Sequence, residues 1–513
     1  MGSAAVKKPM KSEYLHRILT ARVYDVAIET PLEPATHLSQ RLDNNVLFKR
    51  EDLQSVFSFK LRGAYNKLIQ LQPAELARGV ICSSAGNHAQ GVALAARELG
   101  VRSIIVMPEL TPTIKINAVE SLGGEIILHG ATYDDAYDQA LKIANEQQLT
   151  FIHPFDDPEV IAGQGTIGME IHRQQSGMID AVFVPIGGGG LIAGIALYIK
   201  SLSPEIKIIG VEPEDSASMA AAIKAGQAVT LKDVGTFADG VAVRRVGDET
   251  FRICHQLVDD IIIVDNDEIC AAIQDIFEDT RAIVEPAGAL SVAGLKRYVG
   301  KTGMTGQTLV TVNCGANVNF DRLRHIAERA ALGEQREALY AVEIPEQQGS
   351  FMAFCKAIGK RNITEFNYRY HDANAANIFV GVELRHGNEE REEILTSLKN
   401  TGYPVIDMTD NEMAKLHIRH MVGGPSPGID DERLYRFEFP ERPGALLAFL
   451  TAIGNNWNIS LFHYRNHGSD YGRLLAGVQI PDVELESFRQ HVDDLGYPHT
   501  DESDNPVYKM FLA

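Results

Sequence analysis

The sequence predicts two fold classes in series, an α/β domain built on mainly parallel sheet and then a pair of α+β repeats. Three observations carry this. From about Val46 to Val318, short β-branched runs alternate with amphipathic helical stretches, the pattern of a parallel sheet covered on both faces. Past residue 338 the composition changes and the chain begins to repeat itself. At 513 residues the chain is also too long for one core, and at roughly 150 residues per domain about three or four folding units are expected.

In the first part the predicted strands are Val80 to Cys82, Ser103 to Met107, Glu125 to Leu128, Ala181 to Ile186, Lys207 to Val211, Ile261 to Val264 and Thr308 to Val312, with helical patterns such as His88 to Leu99 between them. Residues 321–337 lie in a charged segment, DRLRHIAERAALGEQREA, whose spacing suits a connector helix between domains. Two repeats follow, 338–421 and 432–513. LYAVEIPEQQGSFMAFCKAIG at Leu339 matches LYRFEFPERPGALLAFLTAIG at Leu434, NITEFNYR at Asn362 matches NISLFHYR at Asn458, and TGYP at Thr401 matches LGYP at Leu495. Pro345 with Pro440, Gly349 with Gly444 and Tyr368 with Tyr464 correspond. Each repeat reads strand, Pro/Gly turn, helix, strand, strand, helix, strand, the order of a ferredoxin-like unit.

Composition excludes several functions. With 48 Lys plus Arg against 68 Asp plus Glu, the net charge is -20, and such a surface repels nucleic acid and anionic lipid. The five cysteines (Cys82, Cys254, Cys270, Cys314, Cys355) form no CxxC pair, so no zinc or redox site is expected and a reducing, cytoplasmic setting fits. The basic start around Lys7, Lys8 and Lys11 leads into no apolar run, and Val6 stands where a myristoylation signal needs Ser or Thr. Ala181 to Ile199 is uncharged and of membrane-spanning length, but Pro185 and four successive glycines break the helix a span needs. His417 with His420, and His463 with His467, have spacings that suit a metal but no carboxylate pattern beside them, so they read as surface or packing residues with no metal.

Four motifs carry chemistry. Ser58-Phe59-Lys60-Leu61-Arg62-Gly63-Ala64 opens a helical pattern; Lys60 reads either as a surface lysine or as one held among apolar neighbours, where lost hydration favours the neutral amine. Ser83-Ser84-Ala85-Gly86-Asn87-His88 ends a strand and opens a helix, which is either simple capping or a cradle of N–H groups for a carboxylate. Gly187 to Gly190 with Leu191 join a strand to a helix, and four absent side chains let successive N–H groups close on a phosphate. The same loop matches a dinucleotide fingerprint through Gly188, Gly190 and Ala193, with Glu212 placed for a ribose, so a nicotinamide-dependent oxidoreductase is a rival. Asn313-Cys314-Gly315-Ala316-Asn317-Val318-Asn319 closes a strand, where a small polar side chain meets a ligand or a cysteine merely fills the core.

Taken together, in this order and spacing, these motifs resemble the serine/threonine dehydratases of the β-family, fold type II, of pyridoxal-phosphate (PLP) enzymes, and within them the biosynthetic threonine deaminases (threonine ammonia-lyases). The resemblance covers nearly the whole chain. It implies a catalytic domain over 1–320, with a smaller subdomain at about 50–155 inserted in a larger one, and ACT-like regulatory repeats behind it. It implies Lys60 as the lysine joined to the cofactor and as catalytic base, Phe59 against the ring, Asn87 at the ring hydroxyl, Gly187, Gly188, Gly189, Gly190 and Leu191 around the phosphate, and Cys314 at the ring nitrogen. Ser84, Ala85, Gly86, Asn87 and His88 are expected to seat the substrate carboxylate. Glu285, in VEPAGA, also occurs in family members and is kept apart as a residue bordering the cofactor.

Two departures bear on the reaction. Many relatives have serine in place of Cys314; either group is neutral, and neither holds the ring nitrogen protonated as an aspartate does. Relatives that racemise serine carry a serine corresponding to Ala85, and alanine cannot deliver a proton. The resemblance therefore implies deamination of threonine to 2-oxobutanoate and ammonia, the committed step towards isoleucine, with a serine-preferring dehydratase as the neighbouring alternative. It further implies isoleucine as inhibitor, valine as its antagonist and a homotetramer. Asn362, Tyr368, Asn458 and Tyr464, at matching places in the repeats, are the expected effector contacts.

Overall fold

The computed structural model describes residues 10–513 except 348, 371–373, 417, 422–425, 427–428, 441–444, 454–456, 466–470, 506–507, 509–511 and 513. His417, Gly444 and His467 thus lie outside the described residues. The chain divides into two compact units, Met1–Gly333 and Glu334–Ala513. Among the described residues no helix is long and apolar enough to cross a membrane.

The first unit contains two sheets. In chain order its strands are β1 (Leu32–Pro34), β2 (Asn45–Arg50), β3 (Val80–Ser83), β4 (Ser103–Met107), β5 (Glu125–Leu128), β6 (Thr150–Phe151), β7 (Ala181–Pro185), β8 (Lys207–Pro213), β9 (Asp260–Val264) and β10 (Thr308–Asn313). The larger sheet runs β1-β2-β10-β7-β8-β9, parallel except for β1 at its edge, and the smaller runs β5-β4-β3-β6, all parallel. Every residue of β7 is buried, as expected of a strand with helices on both faces. Because parallel strands share a direction, the motifs that follow β3, β7 and β10 emerge at carboxyl ends, where crevices in such sheets lie.

The helix Lys60–Ile69 crosses the helix Pro158–Gln174 closely, since a Cβ on Gly163 would stand 2.7 Å from the Gly63 Cα. Beneath it lies an ionic cluster with no solvent exposure. Arg62 donates to Glu51 at 2.8 Å and to Glu170 at 2.6 Å, while Lys49 donates to Glu170 at 2.6 Å, to the Thr30 carbonyl at 2.6 Å and to Gln174 at 3.0 Å. The expected connector forms a helix over Arg322–Gly333, shorter than its charged pattern; Ile326 and Ala330 anchor it in the main core, and the next strand begins at Glu337.

The second unit holds one eight-stranded antiparallel sheet. Its strands are β11 (Glu337–Pro345), β12 (Ile363–Arg369), β13 (Ala375–Glu383), β14 (Val405–Asp407), β15 (Glu432–Pro440), β16 (Asn458–Arg465), β17 (Tyr471–Gln479) and β18 (His499–Asp501), in the order β14-β11-β13-β12-β16-β17-β15-β18. The repeats join where β12 pairs with β16, and Asn367, opposite His463, stands on the pseudo-twofold axis. One face is an aromatic core in which Phe351, Phe366, Tyr368 and Phe462 meet edge-on or tilted, with centroids 4.7 to 5.9 Å apart.

Candidate active site

Lys60 is fixed by the chain on either side of it. The turn before it lies along the segment after β10: Phe59 N–H donates to the Cys314 carbonyl at 3.3 Å, Ala316 N–H to the Phe57 carbonyl at 2.9 Å, and Ser58 bridges Gly315. The turn holds Phe57 at φ 53°, a left-handed conformation that is costly for a bulky residue. The Lys60 Nζ donates to the Pro154 carbonyl at 3.2 Å and lies 5.2 Å from the centre of the Phe59 ring. Among the described residues it has no ion-pair partner, and burial lowers its pKa to about 8.

Cys314 meets this lysine from the larger sheet. Its Sγ donates to the Ala287 carbonyl at 3.3 Å, and burial, reinforced by Glu285, raises the thiol well above its ordinary pKa, so it is neutral. Asn87 opens the helix Asn87–Leu99; its Nδ2 donates to Glu285 Oε1 at 2.6 Å, and its Oδ1 accepts from Asn317 Nδ2 at 2.7 Å. Glu285 is buried, and burial with the nearby Asp239 carboxylate raises its pKa to about 7. The network thus ties the second motif to the fourth and brings Glu285 inside the site.

Within the Ser84 to His88 turn the donors are not equivalent. The Ser84 amide is occupied by the Val106 carbonyl at 3.2 Å, and the Gly86 amide by the Ser84 hydroxyl at 3.2 Å. The His88 ring bonds the Ile152 carbonyl at 2.9 Å, and burial lowers its pKa to about 3, so it is a neutral fixture of the floor rather than a ligand. The amides of Asn87 and His88, the first two helical residues, are the donors that a helix start leaves over.

Gly187 to Leu191 join β7 to the helix Gly190–Leu202, with Gly189 at φ +94°. The amides of Gly187, Gly188 and Gly189 have no hydrogen-bond partner among the described residues, and the next three belong to the helix start. A Cβ on Gly187 would stand 3.0 Å from the Val241 Cα, and one on Gly188 would collide with the Phe155 ring. Glycine is therefore required on steric grounds, and the loop presents backbone donors where side chains would otherwise stand. Ser83 and Asn313, at the carboxyl ends of β3 and β10, are wholly buried with orphaned side-chain atoms, as befits a site built for a polar guest. These features fit a phosphorylated ring aldehyde: a low-pKa amine, a backbone anion cradle and a neutral thiol.

Sequence reasoning missed the segment after β6. Pro154 receives the lysine, Phe155 packs on Gly188, and Asp156 accepts from the amides of Asp248, Glu249 and Thr250 at 3.0 to 3.1 Å, capping that helix. Thr250 in turn donates to the Gly188 carbonyl at 2.6 Å. The run His-Pro-Phe-Asp-Asp at a strand's carboxyl end was the available signal. The nicotinamide reading meets an obstacle, because Glu212 is buried and accepts from the Met219 and Ala220 amides at 2.7 and 2.8 Å, away from any ribose.

In the repeats, Asn362 and Tyr368 do not meet: six residues along a strand separate them by about 20 Å, and Asn362 lies in a cleft with Lys360, Arg361 and Arg385. Tyr368 instead donates to Glu346 at 2.6 Å, and Asn458 bonds the same carboxylate, so the candidates combine across the repeats. Tyr464 is buried opposite Phe366.

Residues 23–315 match the pyridoxal-phosphate dependent enzyme family, and 328–418 and 423–512 match the C-terminal regulatory domain of threonine dehydratase. The chain is thus a PLP-dependent enzyme of fold type II with two regulatory repeats. It is 57% identical, over 98% of its length and 99% of the relative's, to the biosynthetic L-threonine dehydratase of Burkholderia multivorans, and 55% identical, over 98% of each, to that of Escherichia coli. A solved structure, the processed form of threonine deaminase isoform 2 from Solanum lycopersicum, aligns with a TM-score of 0.62 at 51% identity over 63% of this chain and 88% of that one. The chain belongs to the family of biosynthetic threonine dehydratases.

Proposed function

We propose that this enzyme deaminates L-threonine to 2-oxobutanoate and ammonia, with Lys60 as the reacting amine. The observation that carries this is a buried lysine without an ion-pair partner among the described residues, between a glycine cradle and a helix start. Pyridoxal phosphate, when bound, would be held by the Lys60 amine and would supply an electron sink for bond breaking at the substrate α-carbon. Gly187 to Leu191 would hold its phosphate, Phe59 and Asn87 its ring, and Cys314 its ring nitrogen.

The substrate carboxylate takes the free amides of Asn87 and His88. Lys60, whose pKa burial lowers to about 8, would take the substrate α-proton, and that proton balances the one the β-hydroxyl needs to leave as water; the enamine released then takes up water to give 2-oxobutanoate and ammonia. Cys314 is neutral and donates to Ala287, so it does not hold the ring nitrogen protonated; elimination is favoured over reactions that need fuller charge delocalisation. Ala85 offers no proton for racemisation.

The repeats bind isoleucine as inhibitor and valine as its antagonist, with Tyr368 and Asn458 around the Glu346 carboxylate as the first contacts and Tyr464 and Asn362 as their counterparts. The enzyme works as a cytoplasmic homotetramer. The test is reduction of the purified holoenzyme with borohydride, then peptide mapping and turnover of threonine and serine with and without isoleucine. A cofactor-derived mass on Lys60 and isoleucine-sensitive threonine turnover are expected; a colourless protein that ignores added cofactor, or a mass on another lysine, overturns the assignment.

A further inference from the structure

One short turn touches both ends of the site. Gly240 lies over the Asn87–Glu285 pair: a Cβ there would stand 2.9 Å from the Ala287 Cβ, 3.5 Å from Glu285 Oε1 and 3.9 Å from Asn87 Nδ2. Its neighbour Val241 abuts Gly187, the first glycine of the anion cradle. Within Thr236–Val241 the backbone forms one short 3-10 turn, Asp239–Val241, with Val241 N–H donating to the Ala238 carbonyl at 2.9 Å. Ala238 and Val241 are buried in the main core, and the rest of its position is set by side chains that arrive from other elements.

Most of these come from the helix Arg322–Gly333. Arg322 Nη1 donates to the Phe237 carbonyl at 3.0 Å and Nη2 to the Thr236 carbonyl at 3.2 Å, and the same guanidinium lies 3.5 Å from Asp239. One turn on, the His325 ring meets the Phe237 ring edge-on at 5.6 Å. From the smaller sheet's side, Lys115 pairs with Asp239 at 2.6 Å. The helix is a stiff handle: Ile326 and Ala330 sit in the main core, and Gly333 packs so tightly on the Asp267 carbonyl that no Cβ fits. Its last residue is followed directly in sequence by the repeats.

We propose that Arg322 is a positioning residue that sets the turn Thr236–Val241 over the active site, and that the turn is the element through which effector binding in the repeats alters catalysis. The second half rests on the effector reading given above. Coupling requires an element that both sites bias, and this turn takes its polar anchors from Arg322 and Lys115 and a ring contact from His325, two of the three on the helix that leads into the repeats. Arginine is needed because its planar fork reaches two carbonyls at once, which an ammonium on a flexible stem does not.

The test uses the full-length holoenzyme with Arg322→Ala, Arg322→Lys and Gly240→Ala, the last pushing the turn from beneath. In each, the cofactor's visible band is expected to remain. The threonine KM rises at least tenfold in Arg322→Ala and Gly240→Ala, more than kcat falls. The isoleucine inhibition midpoint moves at least tenfold in Arg322→Ala, although calorimetry still detects isoleucine binding, and Arg322→Lys falls between it and the wild type. If Arg322→Ala fails to fold, Arg322→Lys and Gly240→Ala report the same quantities. Wild-type KM together with a wild-type inhibition midpoint in the variants overturns the proposal. A wild-type enzyme that neither binds nor responds to isoleucine overturns the effector reading instead, and the KM values then decide the role of Arg322.

Discussion

Lys49 and Lys60 are both removed from water, yet their surroundings differ in kind. Lys49 has three partners, one of them the Glu170 carboxylate, inside a cluster where Lys49 and Arg62 balance Glu51 and Glu170. Lys60 has a single carbonyl at 3.2 Å and no ion-pair partner among the described residues. Burial lowers the pKa of both amines; at Lys49 the Glu170 and Glu51 carboxylates oppose that shift and fix the ammonium in place, whereas Lys60 falls to about 8 and its amine is left to react. Arg62, two residues beyond Lys60 on one helix, is how the first region supports the second.

The comparison can be broken at either lysine's side. Lys60→Ala is expected to reduce threonine turnover by at least about a thousandfold, the scale of a lost covalent and base residue, with thermal unfolding of the cofactor-free protein little changed; turnover within tenfold of wild type would remove Lys60 from the chemistry. Arg62→Met leaves two buried carboxylates short of a partner, and urea unfolding should show a loss of about 3–5 kcal/mol; an unchanged midpoint would mean that the cluster does not support the fold.

A subtler contrast lies in pH. Only a neutral amine attacks the cofactor aldehyde, so reconstitution of the cofactor-free enzyme should quicken as pH rises, with a midpoint at about 8 rather than the ~10.4 of a free lysine. Stopped-flow absorbance reads this directly, and a midpoint near 10 would deny the effect of burial. The smallest effect is expected for Cys314→Ser: one neutral group replaces another, and kcat should stay within about threefold. A loss of a hundredfold would show that the thiol does more than stay uncharged.

The legible parts of the molecule were those written in local pattern. Strands such as Ser103–Met107 and Glu125–Leu128 end where their β-branched runs end, and the repeats reveal themselves by comparison with each other. Lys60, Asn87, the glycine loop and Cys314 could be picked out as candidates because each sits in a motif at a strand or helix end. The turn over the site was not, since nothing in Phe-Ala-Asp-Gly-Val says which surface it will touch. The Arg62–Glu170 contact joins residues 108 positions apart, and only the fold brings them together. The effector candidates show the same limit: matching positions named Asn362, Tyr368, Asn458 and Tyr464 without saying which of them meet, and only the antiparallel pairing of β12 with β16 gives Tyr368 a neighbour from the other repeat.

That pairing has a consequence for how the two copies evolve. Had they been separate identical chains, every change would appear on both sides of the axis at once. Covalent fusion lifts that constraint, and the halves have already diverged in detail. Glu337 is met by Arg419 from the end of the first repeat, whereas its counterpart Glu432 is met by Arg369 of the other copy and by Tyr508 near the carboxyl terminus. A symmetric frame with asymmetric fittings lets one half be retuned without disturbing the seam that holds both.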